Sequence, residues 1–317
     1  MASTKPAYDP KRTGSWLVCT ACGTQFPTSS AQDVTTCFIC DDPRQFTPPA
    51  GQSFTTLDAL RTSHKNVWTP FPDGDDRFVS VATEPKVAIG QRAILIKTPR
   101  GNVLWDCVTL LDEETVGKIN DLGGLKAIVI SHPHYYSTHL EWARAFECPV
   151  YLAAEDKEWL AQKSSWQRFI TETEMNLEID GAASGVQVLK LGGHFPGSLV
   201  VLYEGRLLIA DTLVTTPAGL GSWDTDAVGT ARERPRGMNS FSFLWSIPNM
   251  IPLAPDDVWN MWRILKKYEF KSTHGAFVTM DIVKTEKEMK QRVLESMKIQ
   301  IKYSGFGDHA MLKESIN

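Results

Sequence analysis

The chain lacks any long hydrophobic run. Its longest apolar stretches are about seven residues, far short of the ~20 that cross a bilayer, so no membrane span is expected. It also lacks a strong charge of either sign: 33 Lys and Arg stand against 37 Asp and Glu, a formal net charge of −4. That balance supplies no electrostatic reason to expect nucleic acid or an anionic membrane as a partner. Met1–Ser15 is polar, contains Pro6 and Pro10, and has no apolar core of a secretory signal. Cysteine is scarce as well, and four of the six are spaced as metal ligands rather than as disulfide partners. A soluble cytoplasmic protein is the expectation. What is present is 317 residues of 42% hydrophobic content, enough to bury a large core in one big domain or two modest ones.

The cysteine pattern is Cys19-x-x-Cys22 followed by Cys37-x-x-Cys40, with Gly23 after the first pair. Each C-x-x-C forms a tight turn whose sulfurs converge, and two such turns complete a tetrahedral four-cysteine zinc site. Four thiolates close the coordination sphere, so this Zn2+ is expected to be structural and to organise a segment too short for its own core. A redox C-x-x-C and a pair of disulfides are the rival readings. The knuckle and the proline-rich strap after it, residues 1–50, form an N-terminal segment, and residues 51–317 form the main domain.

The stretch Ser131-His132-Pro133-His134-Tyr135-Tyr136-Ser137-Thr138-His139 is the most informative in the chain. It follows Ala127–Ile130, an apolar run that reads as a buried strand. Two histidines one residue apart leave the end of that strand, where a turn aims both imidazoles at one ion. Further on, Gly192-Gly193-His194 follows the strand Val186–Leu191, Asp211 follows the strand Arg206–Ile209, and Thr273-His274-Gly275 comes late. Each places a metal-capable side chain just past a strand, and zinc and iron both accept this mixture of imidazole and carboxylate. Further strands are expected at Phe78–Ala82, Gln91–Lys97, Val103–Trp105 and Pro149–Ala153. Helices are expected at Thr56–Thr62, Asp112–Asp121, from Thr138, and at Glu155–Gln162, Asp256–Tyr268 and Glu286–Lys302. Alternating strands and helices with ligands at strand ends make the fold class α/β.

The order of these motifs, H-x-H, then G-G-H, then a D-T turn, then a late H-G, resembles the metallo-β-lactamase superfamily of metal-dependent hydrolases. The resemblance covers roughly residues 79–303. It implies an αβ/βα four-layer sandwich and a metal site built from His132, His134, His194, Asp211 and His274. The family's first motif usually reads H-x-H-x-D-H, and its last two side chains help hold a second metal. Here those positions are Tyr136 and Ser137, so a mononuclear site is the expectation.

Several residues stay open on sequence. Tyr136 reads as a neutral acid near the metal, as a core tyrosine that closes off the second metal position, or as a phenolate ligand of ferric iron. His139 either faces the site or lies on the surface. The aromatic segment Met238–Pro248, with Trp223, either walls a substrate pocket or packs in the core. Arg232, Arg234 and Arg236 read as solvated loop charges or as attractors of a carboxylate-bearing substrate. Cys107 and Cys148 read as buried small hydrophobes.

The expected function is a metal-dependent hydrolase. A catalytic Zn2+, or Fe in its place, lowers the pKa of bound water, and the hydroxide opens a small carbonyl substrate: lactone, lactam, ester or thioester. Asp211 accepts the water's proton, and Tyr136 steadies the oxyanion or leaving group. The alternatives are an iron-dependent oxidoreductase on the same fold and a catalytically degenerate binding protein. The expected partner is a small-molecule substrate, with neither nucleic acid nor membrane; oligomeric state and substrate identity stay open.

Overall fold

The computed structural model describes residues 9–316, which fall into two compact units: residues up to 172 with 176–184, and 173–175 with those from 185 onward. In the first unit, Asp9 caps the short α1 (Pro10–Thr13) by accepting from the Lys11 amide. The cysteine-bearing segment is then closed by a two-stranded ribbon, β1 (Leu17–Cys19) against β2 (Phe54–Thr56), antiparallel with Val18 opposite Thr55. Thr56 caps α2 (Leu57–Arg61), whose Leu57 and Leu60 are buried.

A seven-stranded sheet follows in sequential order: β3 (Lys65–Pro70), β4 (Phe78–Glu84), β5 (Arg92–Thr98), β6 (Gly101–Trp105), β7 (Ala127–Val129), β8 (Val150–Ala153) and β9 (Gln167–Ile170). The first four form an antiparallel meander, and β6 to β9 run parallel. Parallel neighbours need crossovers, and α3 (Glu113–Asp121) and α4 (His139–Phe146) supply the first two. Asp112 caps α3 through the Thr115 amide, and Gly123 and Gly124, both with positive φ, stop it. Ala93–Ile96 are all essentially buried, which marks a strand covered on both faces.

The helix expected at Glu155–Gln162 is instead a six-residue 3-10 segment, Ala154–Trp159, broken at Asp156. Burial of Asp156 and stacking of Trp159 on Phe38 hold the backbone there and override the helical period.

The second large sheet has the order β10 (Glu174–Ile179), β11 (Ala182–Lys190), β12 (Leu199–Tyr203), β13 (Arg206–Leu208), then two late strands, Ser272–His274 and Asp281–Val283. The tip of the β10–β11 hairpin counts with the first unit. Glu204 and Gly205, both with positive φ, turn β12 tightly into β13, as the twist of a two-residue hairpin requires. Between β13 and its parallel partner lie β14 (Val214–Thr215), α5 (Pro217–Leu220), β15 (Phe241–Ser242), β16 (Leu244–Ser246), β17 (Ile251–Pro252) and α6 (Pro255–Leu265). The chain then forms β18 (Ser272–His274), β19 (Asp281–Val283) and α7 (Glu286–Tyr303). Thr285 caps α7, which buries Met289, Val293 and Met297 against Phe241, Phe243, Met261 and Trp262.

This mixed α/β architecture is the class expected from the sequence. Among the described residues no helix is long and apolar enough to cross a membrane.

Candidate metal centres

Cys19, Cys22, Cys37 and Cys40 are all buried, and their sulfurs lie within 4.8 Å of one another. The Cys19–Cys40 and Cys22–Cys37 sulfur pairs are 3.6 and 3.7 Å apart. A tetrahedral zinc with Zn–S of about 2.3 Å sets its sulfurs about 3.8 Å apart, so the spacing fits. Local turns create it. The Gly23 amide donates to Cys19 O at 2.8 Å with Gly23 at φ +83°, and the Cys40 and Asp41 amides both donate to Cys37 O. Leu17, Phe26 and Ile39 pack around the sulfurs with Phe54 and Trp159. Hydrogen bonds from Cys22, then Cys37 and Cys40, draw the Cys19 thiol well below its ordinary range, while contacts with Cys19, then Cys37 and Cys40, push Cys22 up. One sulfur ionises at its neighbours' expense, and a dication lets all four ionise together.

The second centre starts where β7 ends. Asp106, held at φ +57°, accepts the Ser131 amide at 2.7 Å and fixes the chain as it leaves the strand. His132 follows in extended conformation, and His134 sits in the 3-10 turn Pro133–Tyr135. Their rings lie 5.0 Å apart, and Tyr135 packs against His132 at the same distance. Ser131 Oγ lies 2.9 Å from His132 Nδ1, which leaves Nε2 as the ligand atom.

His194 depends on the two glycines before it, at φ +67° and +88°. A Cβ on Gly193 would lie 2.3 Å from Met261 Cε and 2.7 Å from Thr212 Oγ1, so only glycine fits there. Thr212 Oγ1 donates to Gly192 O and accepts the His194 amide, which locks the G-G-H turn to the D-T turn. His194 Nδ1 donates to Leu244 O at 3.2 Å, and its Nε2 is 3.9 Å from Asp211 Oδ2.

His132, His134, His194 and Asp211 form one buried group whose ligand atoms all lie within 4.8 Å of one another. Donors about 2.1 Å from a tetrahedral zinc stand about 3.4 Å apart, and His194 Nε2 and Asp211 Oδ2, at 3.9 Å, lie near that spacing. Three imidazoles and a carboxylate are a donor set that suits zinc and iron. Both clusters thus carry donor sets that suit a metal ion.

His274, expected as a fifth ligand, is the last residue of β18 and stands outside this group. Its Nδ1 is 2.7 Å from Asp281 Oδ1, its partner across the β18–β19 hairpin, and its Nε2 is 2.8 Å from Ser272 Oγ. His139 is buried rather than on the surface: Nδ1 donates to Tyr136 O at 2.7 Å, and Nε2 accepts from Gln167 Nε2 at 2.9 Å. The Tyr136 hydroxyl donates to Asp156 O at 3.3 Å, and burial, then the Asp156 charge, push its phenol well above the usual range. Of its three readings, the packed tyrosine is the one this geometry favours.

In the aromatic segment, Phe241 and Phe243 are core residues, while the Leu244 carbonyl reaches His194. Arg234 is tied to Glu295 and Ser240 rather than solvated, and Arg232 stacks on Trp223. Cys107 and Cys148 are buried, and burial raises both thiols. The supports missed on sequence are Ser131, Tyr135 and Leu244. Adjacency to His132 was a readable signal for Ser131; nothing local announces a backbone carbonyl fifty residues away.

No family model matches the chain. It is 36% identical over 262 residues to the uncharacterized protein YmaE of Bacillus subtilis (strain 168), covering 83% of this chain and 88% of YmaE. Among solved structures it is similar to VMB-1, with 14% identity and a TM-score of 0.50 over 76% of this chain and 99% of VMB-1. It is also similar to a mutant of a flavo di-iron protein from Thermotoga maritima, with 14% identity and a TM-score of 0.46. That match covers 74% of this chain and spans 61% of the flavo di-iron protein.

Proposed function

The chain belongs to the family of the Bacillus subtilis protein YmaE and has the metallo-β-lactamase fold, and from that premise we propose that it is a metal-dependent hydrolase of small carbonyl compounds. Lactones, lactams, esters and thioesters are the substrate classes in view. The observation that carries this reading is the buried group of His132, His134, His194 and Asp211, four donors gathered within 4.8 Å.

A zinc ion held there by these residues would supply an activated water and polarise the substrate carbonyl. The chain's own residues do the rest. Ser131 and the Leu244 carbonyl take the Nδ1 side of His132 and His194, so each ring presents Nε2. The Asp211 carboxylate, nearly excluded from solvent, accepts the proton of the attacking water. Tyr136 and Ser137 add no carboxylate or imidazole beside His134, which supports a single-metal site. The four cysteines hold a structural zinc, and residues 1–50 act as a metal-bearing strap on the hydrolase domain 51–317. Four zinc-bound thiolates need a reducing setting such as the cytoplasm to stay out of disulfides.

The donor set itself favours one second reading, an iron-dependent oxidoreductase, because three imidazoles and a carboxylate hold ferrous iron as well as zinc. One experiment separates these. Metal per chain is measured on wild type and on His134→Ala, alongside turnover of a lactone, lactam and thioester panel. The variant is expected to lose about one metal and all hydrolysis above background. Equal metal and equal turnover in both proteins sinks the hydrolase, and an iron content with no hydrolysis favours the oxidoreductase.

A further inference from the structure

Ser137 follows the His132/His134 pair in a left-handed conformation, φ +41°, that a non-glycine residue adopts only under constraint from its surroundings. The constraint comes from the four-cysteine segment. Ser137 Oγ donates to Gly23 O at 3.2 Å and lies 3.0 Å from Thr109 Oγ1, while the Gln25 amide donates to Ser137 O at 3.1 Å. The approach is close enough to demand glycine: a Cβ on Gly23 would stand 2.1 Å from Thr109 Oγ1 and 2.9 Å from Ser137 Oγ. Gly23 is itself part of the cysteine centre's first turn, through its amide to Cys19 O. A second line of contacts runs in parallel. Gln162 Nε2 donates to Gln25 O, and Gln167 Nε2 donates to Gln162 O and reaches His139, whose Nδ1 donates to Tyr136 O. Both residues that follow the H-x-H turn are therefore tied to the cysteine segment, and Ser137, Thr109 and Gln25 are all buried.

We infer that Ser137 is a positioning residue that, with Thr109, clamps the His132/His134 turn to the four-cysteine segment, so that order at the cysteine centre sets metal affinity at the histidine centre. The inference rests on the metal-site reading above. The Cys19–Gly23 turn fixes the Gly23 carbonyl and the Gln25 amide, these fix the backbone at Ser137, and Ser137 is three residues from His134. The second line pins Tyr136 from the other side. The Thr109 hydroxyl donates to Ser137 Oγ, which frees the Ser137 proton for Gly23 O.

The test compares full-length wild type with Ser137→Ala, Thr109→Val and Thr109→Ser, each loaded with cobalt(II). Intense sulfur-to-cobalt bands report the cysteine centre, and weaker ligand-field bands report the histidine centre. Ser137→Ala and Thr109→Val are expected to keep the sulfur bands and the folded circular dichroism spectrum. Their cobalt affinity at the histidine centre should fall about 10- to 100-fold. Thr109→Ser, which keeps the hydroxyl, should bind like wild type; a merely structural role would not be rescued in this way. If Ser137→Ala does not fold, Thr109→Val, which keeps the shape of the side chain, gives the same comparison. Affinity at the histidine centre within about twofold of wild type in the folded variants overturns the inference. Because cobalt affinity is read without substrate, the coupling stands or falls on that number even if the chain hydrolyses nothing.

Discussion

The two candidate centres are built on opposite plans. The cysteine centre takes all four donors from one short stretch, Cys19 to Cys40, and its sulfurs touch one another. The histidine centre takes its donors from the ends of three different strands, and two of its imidazoles are held from behind by another group: Ser131 Oγ for His132 and the Leu244 carbonyl for His194. In the first, the four donors share one short peptide with a small apolar cluster of its own, which a bound metal would organise. In the second, each donor stands just past the end of a strand, β7, β11 or β13, that forms without it. A closed set of four thiolates has no room for a substrate, whereas a set that includes a carboxylate can trade a ligand for one.

Removing donors from each centre should therefore fail differently, and the largest effect belongs to the cysteines. A structural zinc contributes about 10–16 kcal/mol in small zinc modules, comparable to the whole stability of a typical domain, about 5–15 kcal/mol. The cluster around it is small, with Leu17, Phe26 and Ile39 as its main buried apolar side chains. Cys19→Ser/Cys22→Ser is expected to lose most of its soluble yield and, in what remains, one metal per chain and a cooperative melt. A soluble double variant melting within a few degrees of wild type would break the comparison, because the cysteine segment would then hold itself.

Most of the candidate histidine centre was legible because its donor side chains sit where strands stop. An apolar run followed by H-x-H, G-G-H or D-T is a pattern of local residues, and His132, His134, His194 and Asp211 came from it directly. His274 satisfied the same pattern, yet its Nδ1 faces Asp281, a partner visible only through the register of the β18–β19 hairpin. The position of Phe241 and Phe243 stayed open on sequence, and the structure places both in the core. The strands β3, β9 and β10 were missed because they are short and rich in polar residues, so their alternation is weak. The bend at Asp156 was missed because burial, not local propensity, sets it.

His139 sharpens the comparison at a smaller scale, since it is buried at the start of α4, shortly after the candidate ligands His132 and His134, but is built to stay neutral. Burial, aided by the nearby Arg144 charge and opposed by the bond to Tyr136 O, lowers its pKa to about 4. The folded value lies below the ordinary 6.5, so the unfolded chain takes up the proton first. Stability from this residue is complete above about pH 6.5 and is lost as pH falls toward 4, by about 3 kcal/mol in all. Urea unfolding at pH 7 and pH 4.5 should show wild type losing about 2 kcal/mol more than His139→Gln over that interval. An equal loss in both proteins would mean that His139 is as accessible to the proton as a surface histidine.

The smallest expected effect separates packing from chemistry beside the histidines. Tyr136 stands one residue past the H-P-H-Y turn, but its hydroxyl donates to Asp156 O and its phenol is held neutral by burial. Tyr136→Phe removes one such bond, which should cost about 1 kcal/mol in a urea titration. Metal content should be unchanged, and turnover should stay within about threefold of wild type, because a group acting as general acid contributes at least about a hundredfold. A hundredfold fall in kcat with metal retained would make the phenol the proton donor of the reaction. Loss of metal instead would make it a ligand, and the histidine centre would then need a donor from its own loop, as the cysteine centre does.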